Sequence, residues 1–363
     1  MQTVLAIDVA KGKSMVSLIT NCGEVLIKPY EINHSKIDFD NLNQKISNFK
    51  LDNISVIMES TGIYHKPVER FFLENNYNVY TINALYSKIY KRNLRKTKTD
   101  KLDCISLSEL FFTTDFKQYI KPDELYLNMN ALSRQYFALS ELNSNLKNRY
   151  KNLLYLCFPE YELIFKNQAI YSNIALNFIS KYPHAEIIAS TRIDCLQNFF
   201  KQNNFRYWKF KSIKIKELAK ESYPSVSKND EIVSNLSSIS KLIYNNEKEI
   251  NELKTKLINY AKQSDYFNKI NYIFGLGDLT TALIIAELGD INRFNNIKEL
   301  TAYCGLDPSI KQSGSSLCHK ENDIEKYYRK KRNEGKHHYA ATIACTTKLL
   351  RQILALCKQL EIQ

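Results

Sequence analysis

Four carboxylates stand out by type and spacing. Asp8 follows the apolar run "TVLAI", Glu59 follows "NISVIM", and Asp100 and Asp103 lie in "KTDKLD", just behind the basic stretch "SKIYKRNLRK". Residues three apart on a helix share a face, so Asp100 and Asp103 can point at one site. Carboxylates at the carboxyl ends of neighbouring strands converge at the edge of an α/β sheet. Four of them repel strongly unless cations neutralise them, and hard oxygen donors select Mg²⁺ or Mn²⁺. Two such ions stabilise the attacking and leaving oxygens of a phosphodiester exchange. The plainer alternative makes Asp100 and Asp103 helix N-terminal acids, favoured by the helix dipole. Lys88, Lys91, Arg92, Arg95, Lys96, Lys98 and Lys101 surround the pair. Beside a metal site these cations would hold a phosphate backbone.

The segments that must position these residues read as an α/β order. "TVLAID" is a buried strand. "MVSLIT", "NCGE" and "VLIKPY" make a hairpin with Asn-Cys-Gly at its bend. "NISVIMES" is another buried strand, "KPVERFFLENN" a helix with Pro67 in its first turn, and "YNVYTIN" a strand.

From Leu125 to about Tyr161 the pattern turns helical, with Leu132, Leu139, Leu146 and Leu153 every seven residues and Tyr136, Leu142 and Tyr150 beside them. Pro159 ends it. A sharper heptad follows. Ile232, Ile239, Asn246, Leu253 and Tyr260 alternate with Leu236, Ile243, Ile250 and Leu257. That seam, at about 232–260, predicts a coiled coil between chains, with Asn246 as a register-fixing polar position. The alternative is an amphipathic helix packed on its own domain.

The last hundred residues form a different unit. "INYIFGLGDLTTALIIAEL" reads as helix, tight Gly275-x-Gly277 turn and helix, the pattern of a helix-hairpin-helix whose backbone amides meet a phosphate. "QSGSS" sets Ser313, Ser315 and Ser316 in a polar loop that also holds Lys311, ahead of the basic segment "IEKYYRKKRNEGKHH". No neighbouring His-Asp pair suggests an acyl-transfer triad. A nucleophilic serine here would need an activator from another domain or subunit.

Composition narrows the partners. Fifty-one Lys and Arg against 38 Asp and Glu leave a net charge of +13. Such an excess favours a polyanion, nucleic acid above all. The N-terminus lacks the basic and apolar regions of a signal peptide, and no run reaches the length of a membrane span. The expectation is no membrane and a cytoplasmic place. Eight scattered cysteines with no CxxC point to reduced thiols and away from a disulfide framework or zinc site.

Taken in order, "AIDVAKG", "MESTGIYHKPVERFFLENNYNVYTIN", "KTDKLDC", "GLGDLTTALIIAELGDINRFNNIKELTAYCGLDPSIKQSGSS" and "YYRKKRNEGKHH" resemble transposases of the insertion sequence 110 family across nearly the whole chain. The resemblance implies an N-terminal ribonuclease H-like (RuvC-like) domain whose DEDD metal site is Asp8, Glu59, Asp100 and Asp103. It implies that Ser313, before Gly314, forms a covalent phosphoserine link to DNA. It also implies homodimers or homotetramers with sites completed across subunits, DNA partners at the element's ends and its target, and guidance by an element-encoded non-coding RNA. A bacterial cytoplasm, with the protein on the nucleoid when DNA-bound, follows from the same resemblance. One departure stands out: "SSLCHKENDIEKYY" runs straight from the serine to the Tyr-Tyr segment, about one helix shorter than the family pattern. Phe274 also replaces a proline often found before the Gly-x-Gly turn.

The expected architecture is therefore α/β plus α. A ribonuclease H-like domain spans 1–155, a helical connector with the coiled coil 156–264, and a small all-helical serine domain with the hairpin turn 265–363. The expected function is cleavage and rejoining of DNA strands. The rivals are a metal-dependent junction-resolving nuclease using the four acids alone, and an inactive nucleic-acid-binding remnant.

Overall fold

In the computed structural model the described residues are 2–51, 53–83, 100–114, 116, 118–119, 123–306 and 323–358. Lys88, Lys91, Arg92, Arg95, Lys96, Lys98, Lys311 and Ser313 lie outside them, as do the side chains of Asp100 and Lys101. Two units divide the chain, Met1–Lys121 and Pro122–Gln363.

The first unit is built on a mixed five-stranded sheet. Its elements are β1 (Thr3–Ala10), β2 (Lys13–Thr20), β3 (Val25–Asn33), α1 (Lys36–Ser47), β4 (Ile54–Ser60), α2 (Lys66–Glu74), β5 (Asn78–Asn83) and α3 (Asp100–Thr113). The strand order is β3-β2-β1-β4-β5. β1, β2 and β3 are joined antiparallel, whereas β4 and β5 add in parallel. Two tight turns make the antiparallel half. Gly12, at φ 75°, turns β1 into β2, and Gly23, at φ 85°, closes the expected Asn-Cys-Gly bend. A left-handed backbone suits glycine at both. β1 thus runs past Asp8 to Ala10, beyond the end expected for it. α1 has no counterpart among the expected segments; Ser35 caps it by accepting from the Asp38 amide.

Alternation along the central strands builds two cores. Leu5, Ile7, Val56 and Met58 pack with Phe39 and Leu42 of α1 and Val68 and Phe72 of α2. Val4, Ala6 and Ile57 pack on the other face with Cys104, Leu107, Leu110 and Phe111 of α3.

Among its described residues the second unit is built of helices: α4 (Glu124–Cys157), α5 (Tyr161–Ile164), α6 (Asn173–Lys181), α7 (Ala185–Ser190), α8 (Ile193–Gln202), α9 (Trp208–Glu221), α10 (Glu231–Ala261), α11 (Phe267–Asn271), α12 (Asp278–Leu288), α13 (Ile297–Tyr303), α14 (Asp323–Asn333) and α15 (His338–Lys358). α4 and α10 run antiparallel. Tyr150 and Leu154 share a core with Val233, Leu236, Ile239 and Ile243, while Met129 shares another with Leu257 and Ala261.

This pairing corrects the expectation of a coiled coil between chains. The seam residues Ile239, Ile243, Ile250, Leu253 and Leu257 are buried within this chain, because α4 offers a stripe of matching length. The centre of that stripe is Met129, Ser133, Asn143, Tyr150, Leu154 and Cys157; the leucine row 132, 139, 146, 153 flanks it, and Leu142 is exposed. The same pairing draws α4 into the second unit, although the first domain was expected to reach residue 155. α15 corrects a further expectation. By length and composition it could cross a membrane. Its Ala341, Cys345, Leu349, Leu350, Ile353 and Cys357 are instead buried, most of them in a helical core with α11, α12 and α13.

Candidate functional site

Strand register aligns two of the four acids. β1 and β4 pair in parallel from Thr3↔Ile54 to Ile7↔Met58. The next position in that register sets Asp8 beside Glu59. Asp8 is also opposite Met15 on β2, and Glu59 opposite Ile82 on β5. The result is a row across four strands: Met15, Asp8, Glu59, Ile82. The β1–β4 ladder stops one residue short of the acids, while β1 stays paired to β2 through Ala10. A sheet that splits between two parallel strands opens a crevice at their carboxyl ends.

The pleat decides which face the row occupies. Val4 and Ala6 precede Asp8 on its face, and Ile57 precedes Glu59; all three pack on α3. α3 opens at Asp100, and Asp103 on its first turn is buried. Its docking is fixed by Cys104, whose thiol donates to the Ala6 carbonyl at 3.0 Å and meets Ser17 Oγ at 3.1 Å. Burial pushes the Cys104 thiol up to about 12, with the charge of Asp8 adding to the effect. The thiol is therefore neutral at pH 7 and adds no charge to the acids beside it.

Asp8, Glu59 and Asp103 thus share one side of the sheet, each with interactions of its own. They are not drawn into a tight cluster: among the described residues, no three His, Cys, Asp or Glu side chains are grouped to hold a metal. The donor set still fits a hard divalent cation, being carboxylate oxygen throughout. Asp8, Glu59 and Asp103, with Asp100 at the head of α3, are the residues that would hold one.

A further charged group was not singled out from sequence. Glu69 of α2 is buried, pairs with Lys66 at 2.8 Å and accepts from Thr81 Oγ1 at 2.9 Å. Thr81 stands opposite Met58, so this pair lies on the α2 face, across the sheet from the acid row. His65 is buried in the segment leaving β4; burial and then the charge of Lys66 lower its pKa, keeping the ring neutral at pH 7. The signal was "HKPVE", a cation three residues before an acid at a helix start.

In the second unit the expected hairpin turn is present. α11 ends at Asn271, Gly275 sits at φ 95°, and Gly277 is the N-cap of α12 with no side-chain cap bond. A Cβ added at Gly277 would meet nothing within 4 Å, so its surface is open. Asn271 ties the two helices together, donating to Asp278 at 3.2 Å and accepting from Thr281 at 3.0 Å. Tyr272 and Phe274 stand exposed beside the turn. Further on, α14 carries Lys326, Arg329, Lys330, Lys331 and Arg332, with Arg329 held by Glu325 at 2.6 Å.

A mixed-sheet α/β unit with acids at one sheet edge, followed by a basic helical unit, has the build of an enzyme acting on nucleic acid. Comparison with known families makes this specific. A family model for DEDD transposases of the IS110 type matches residues 5–159, and one for transposases of the IS116/IS110/IS902 family matches residues 268–351. The chain belongs to the IS110 family of transposases, and is a DNA transposase/recombinase. No curated protein matches it. The first match runs past Lys121 and takes in α4, so the family's N-terminal region is longer than the compact α/β unit.

Proposed function

We propose that this transposase cleaves and rejoins DNA strands with two chemical centres, the acids of a ribonuclease H-like sheet and a serine nucleophile. The observation that carries the reading is the register that sets Asp8 beside Glu59 on the face where α3 brings Asp103. The strand order, antiparallel on one side of β1 and parallel on the other, is that expected of a ribonuclease H-like domain. Asp8, Glu59, Asp100 and Asp103 bind Mg²⁺ or Mn²⁺, which when bound stabilises charge on the phosphate oxygens under attack. The carboxylates would hold that cation in place, and one of them would take the proton given up by the attacking hydroxyl. Ser313 Oγ attacks the phosphorus as its proton passes to a carboxylate; a P–O bond to serine forms as the bond to one sugar oxygen breaks, and that oxygen takes up a proton and leaves as a hydroxyl. The reverse attack by a sugar hydroxyl on the phosphoserine rejoins a strand and frees the serine.

Lys311 and the amides at Gly275 and Gly277 hold phosphates, as do Lys88, Lys91, Arg92, Arg95, Lys96 and Lys98. An element-encoded RNA selects the DNA, and two or four chains assemble to complete the sites. The second reading is a nuclease that uses the acids alone; the short stretch between Ser316 and Tyr327 favours instead an inactive nucleic-acid-binding remnant.

Two variants test the proposal on the element's native ends and RNA. Asp8→Asn should abolish DNA chemistry and weaken Mn²⁺ binding while the fold survives; full activity in Mg²⁺ would refute the metal site. Ser313→Ala should lose the covalent protein–DNA adduct, whereas a nuclease would go on cutting.

A further inference from the structure

We infer that the N-terminal half of α9, with the residue before it, forms a binding surface for single-stranded DNA, separate from the acid row and from the glycine hairpin. The inner face of α9 is occupied: Ser212, Ile215, Leu218 and Ala219 are buried against the surrounding helices. Among the described residues, nothing covers the outer face. Tyr207 is 65% exposed, Phe210 66% and Ile213 46%. Such exposure is costly for large apolar groups in water, and three of them within seven residues of one segment mark a candidate contact site.

Charge says what covers it. Between residues 201 and 220 there are seven cations, Lys201, Arg206, Lys209, Lys211, Lys214, Lys216 and Lys220, against one acid, Glu217. Three of the cations are stationed over the rings. Arg206 lies 4.9 Å from the Tyr207 ring centre, and Lys209 and Lys201 lie 5.3 and 6.0 Å from that of Trp208. Aromatic faces interleaved with cations are the chemistry of unpaired bases stacking while their phosphates are neutralised. A duplex hides its base faces and would engage the cations alone. An embedded lipid surface would need a continuous apolar stripe, which Lys209, Lys214 and Glu217 interrupt. Family membership supplies DNA as the polyanion.

Backbone geometry supports the assignment. Tyr207 is the N-cap of α9 with φ 59° and ψ 36°, a left-handed conformation. A bulky side chain is rarely held there, and strain of this kind gathers at functional positions. Tyr207 stands three residues before Phe210 in the chain.

Trp208 is the only tryptophan in the chain, and it sits half-buried against the helical core between Tyr207 and Lys209, so its fluorescence reports on the base of this surface. With the full chain, an oligothymidylate of about twenty nucleotides should change Trp208 emission, and added salt should reverse the change. Tyr207→Gly combined with Phe210→Ala should weaken the titration roughly tenfold or more, while thermal stability holds or rises because glycine suits the left-handed backbone. Asp8→Asn should leave the response intact, which separates this surface from the acid site. The proposal is overturned if Trp208 does not respond, if a duplex gives an equal response, or if RNA of matching sequence binds about tenfold more tightly. A double variant within about twofold of the parent, or a response lost in Asp8→Asn, overturns it as well.

Discussion

Ile243→Ala and Leu257→Ala probe what the long heptad seam holds together. Both side chains are fully buried, Ile243 in the core around Tyr150 and Phe178, Leu257 in the core around Met129 and Ile285. Each change deletes three carbon atoms, worth about 2.4 kcal/mol at roughly 0.8 per buried CH₂. The cavity left behind raises this toward the usual range of about 2–5 kcal/mol. Fourteen residues of helix, about 21 Å, separate the two sites, so their effects should add. The double variant should lose about 6 kcal/mol, a large share of the roughly 5–15 that keeps a domain folded. Urea unfolding followed by circular dichroism at several protein concentrations measures it. Because the seam is filled by α4 of the same chain, the loss should be independent of concentration. A loss below about 1 kcal/mol for either single variant would falsify the packing argument. So would a fall in sedimenting mass with helix content retained, which would mean that the seam joins separate chains.

Glu247 supplies a pH test. Burial pushes its carboxyl up, but hydrogen bonds and charge from Lys147 and the bond from Asn143 outweigh this and hold it below its ordinary value of 4.5. A depressed folded value stabilises the protein above the unfolded value, and the gain fades as pH falls through the folded one. Glu247→Gln should therefore cost about 1 kcal/mol at pH 7 and progressively less below pH ~4.5, in melts across that range; an equal cost at pH 3 and pH 7 would contradict the ion pair. In the hairpin, Gly275→Ala should destabilise by about 1–2 kcal/mol because its φ is positive, whereas Gly277→Ala should be nearly neutral in melting temperature. Equal costs would mean that Gly275 does not hold that backbone in solution. Arg92→Ala with Arg95→Ala should flatten the log–log salt dependence of duplex DNA binding by roughly two units, across all sequences alike; a parent-like slope would show that these cations face only water.

The α/β half was largely legible because its signals are local. Gly12 and Gly23 mark turns, and "TVLAI" and "NISVIM" are short, mostly apolar runs rich in β-branched residues, as strands buried on both faces are. Asp8 and Glu59 were visible as the first acids after those runs. Their alignment was not, since it depends on β1–β4 register, a pairing between residues 51 apart. The helical half misled in one instructive way. Periodicity found both long stripes but not their partner, because a heptad repeat reads the same whether it meets its own chain or another. Leucine content then favoured the wrong row of α4, whose centre includes Ser133 and Asn143. The Tyr207–Phe210 surface was not legible: rings and cations are interleaved along "FRYWKFKSIK", and the sequence does not say which rings face outward until exposure is known.

The α4–α10 pair has a polar waist. Midway along it, buried Asn143 donates to Glu247 at 2.8 Å and Lys147 pairs with the same carboxylate at 2.5 Å, between the two apolar cores. Two cooperative segments then share one pair of rails. Amide hydrogens at the waist can exchange with solvent through a small local opening, whereas those at either end exchange only when a whole core comes apart. The end bearing the glycine hairpin can loosen while the far end stays ordered, so that part of the helical unit can change shape without the chain losing its fold.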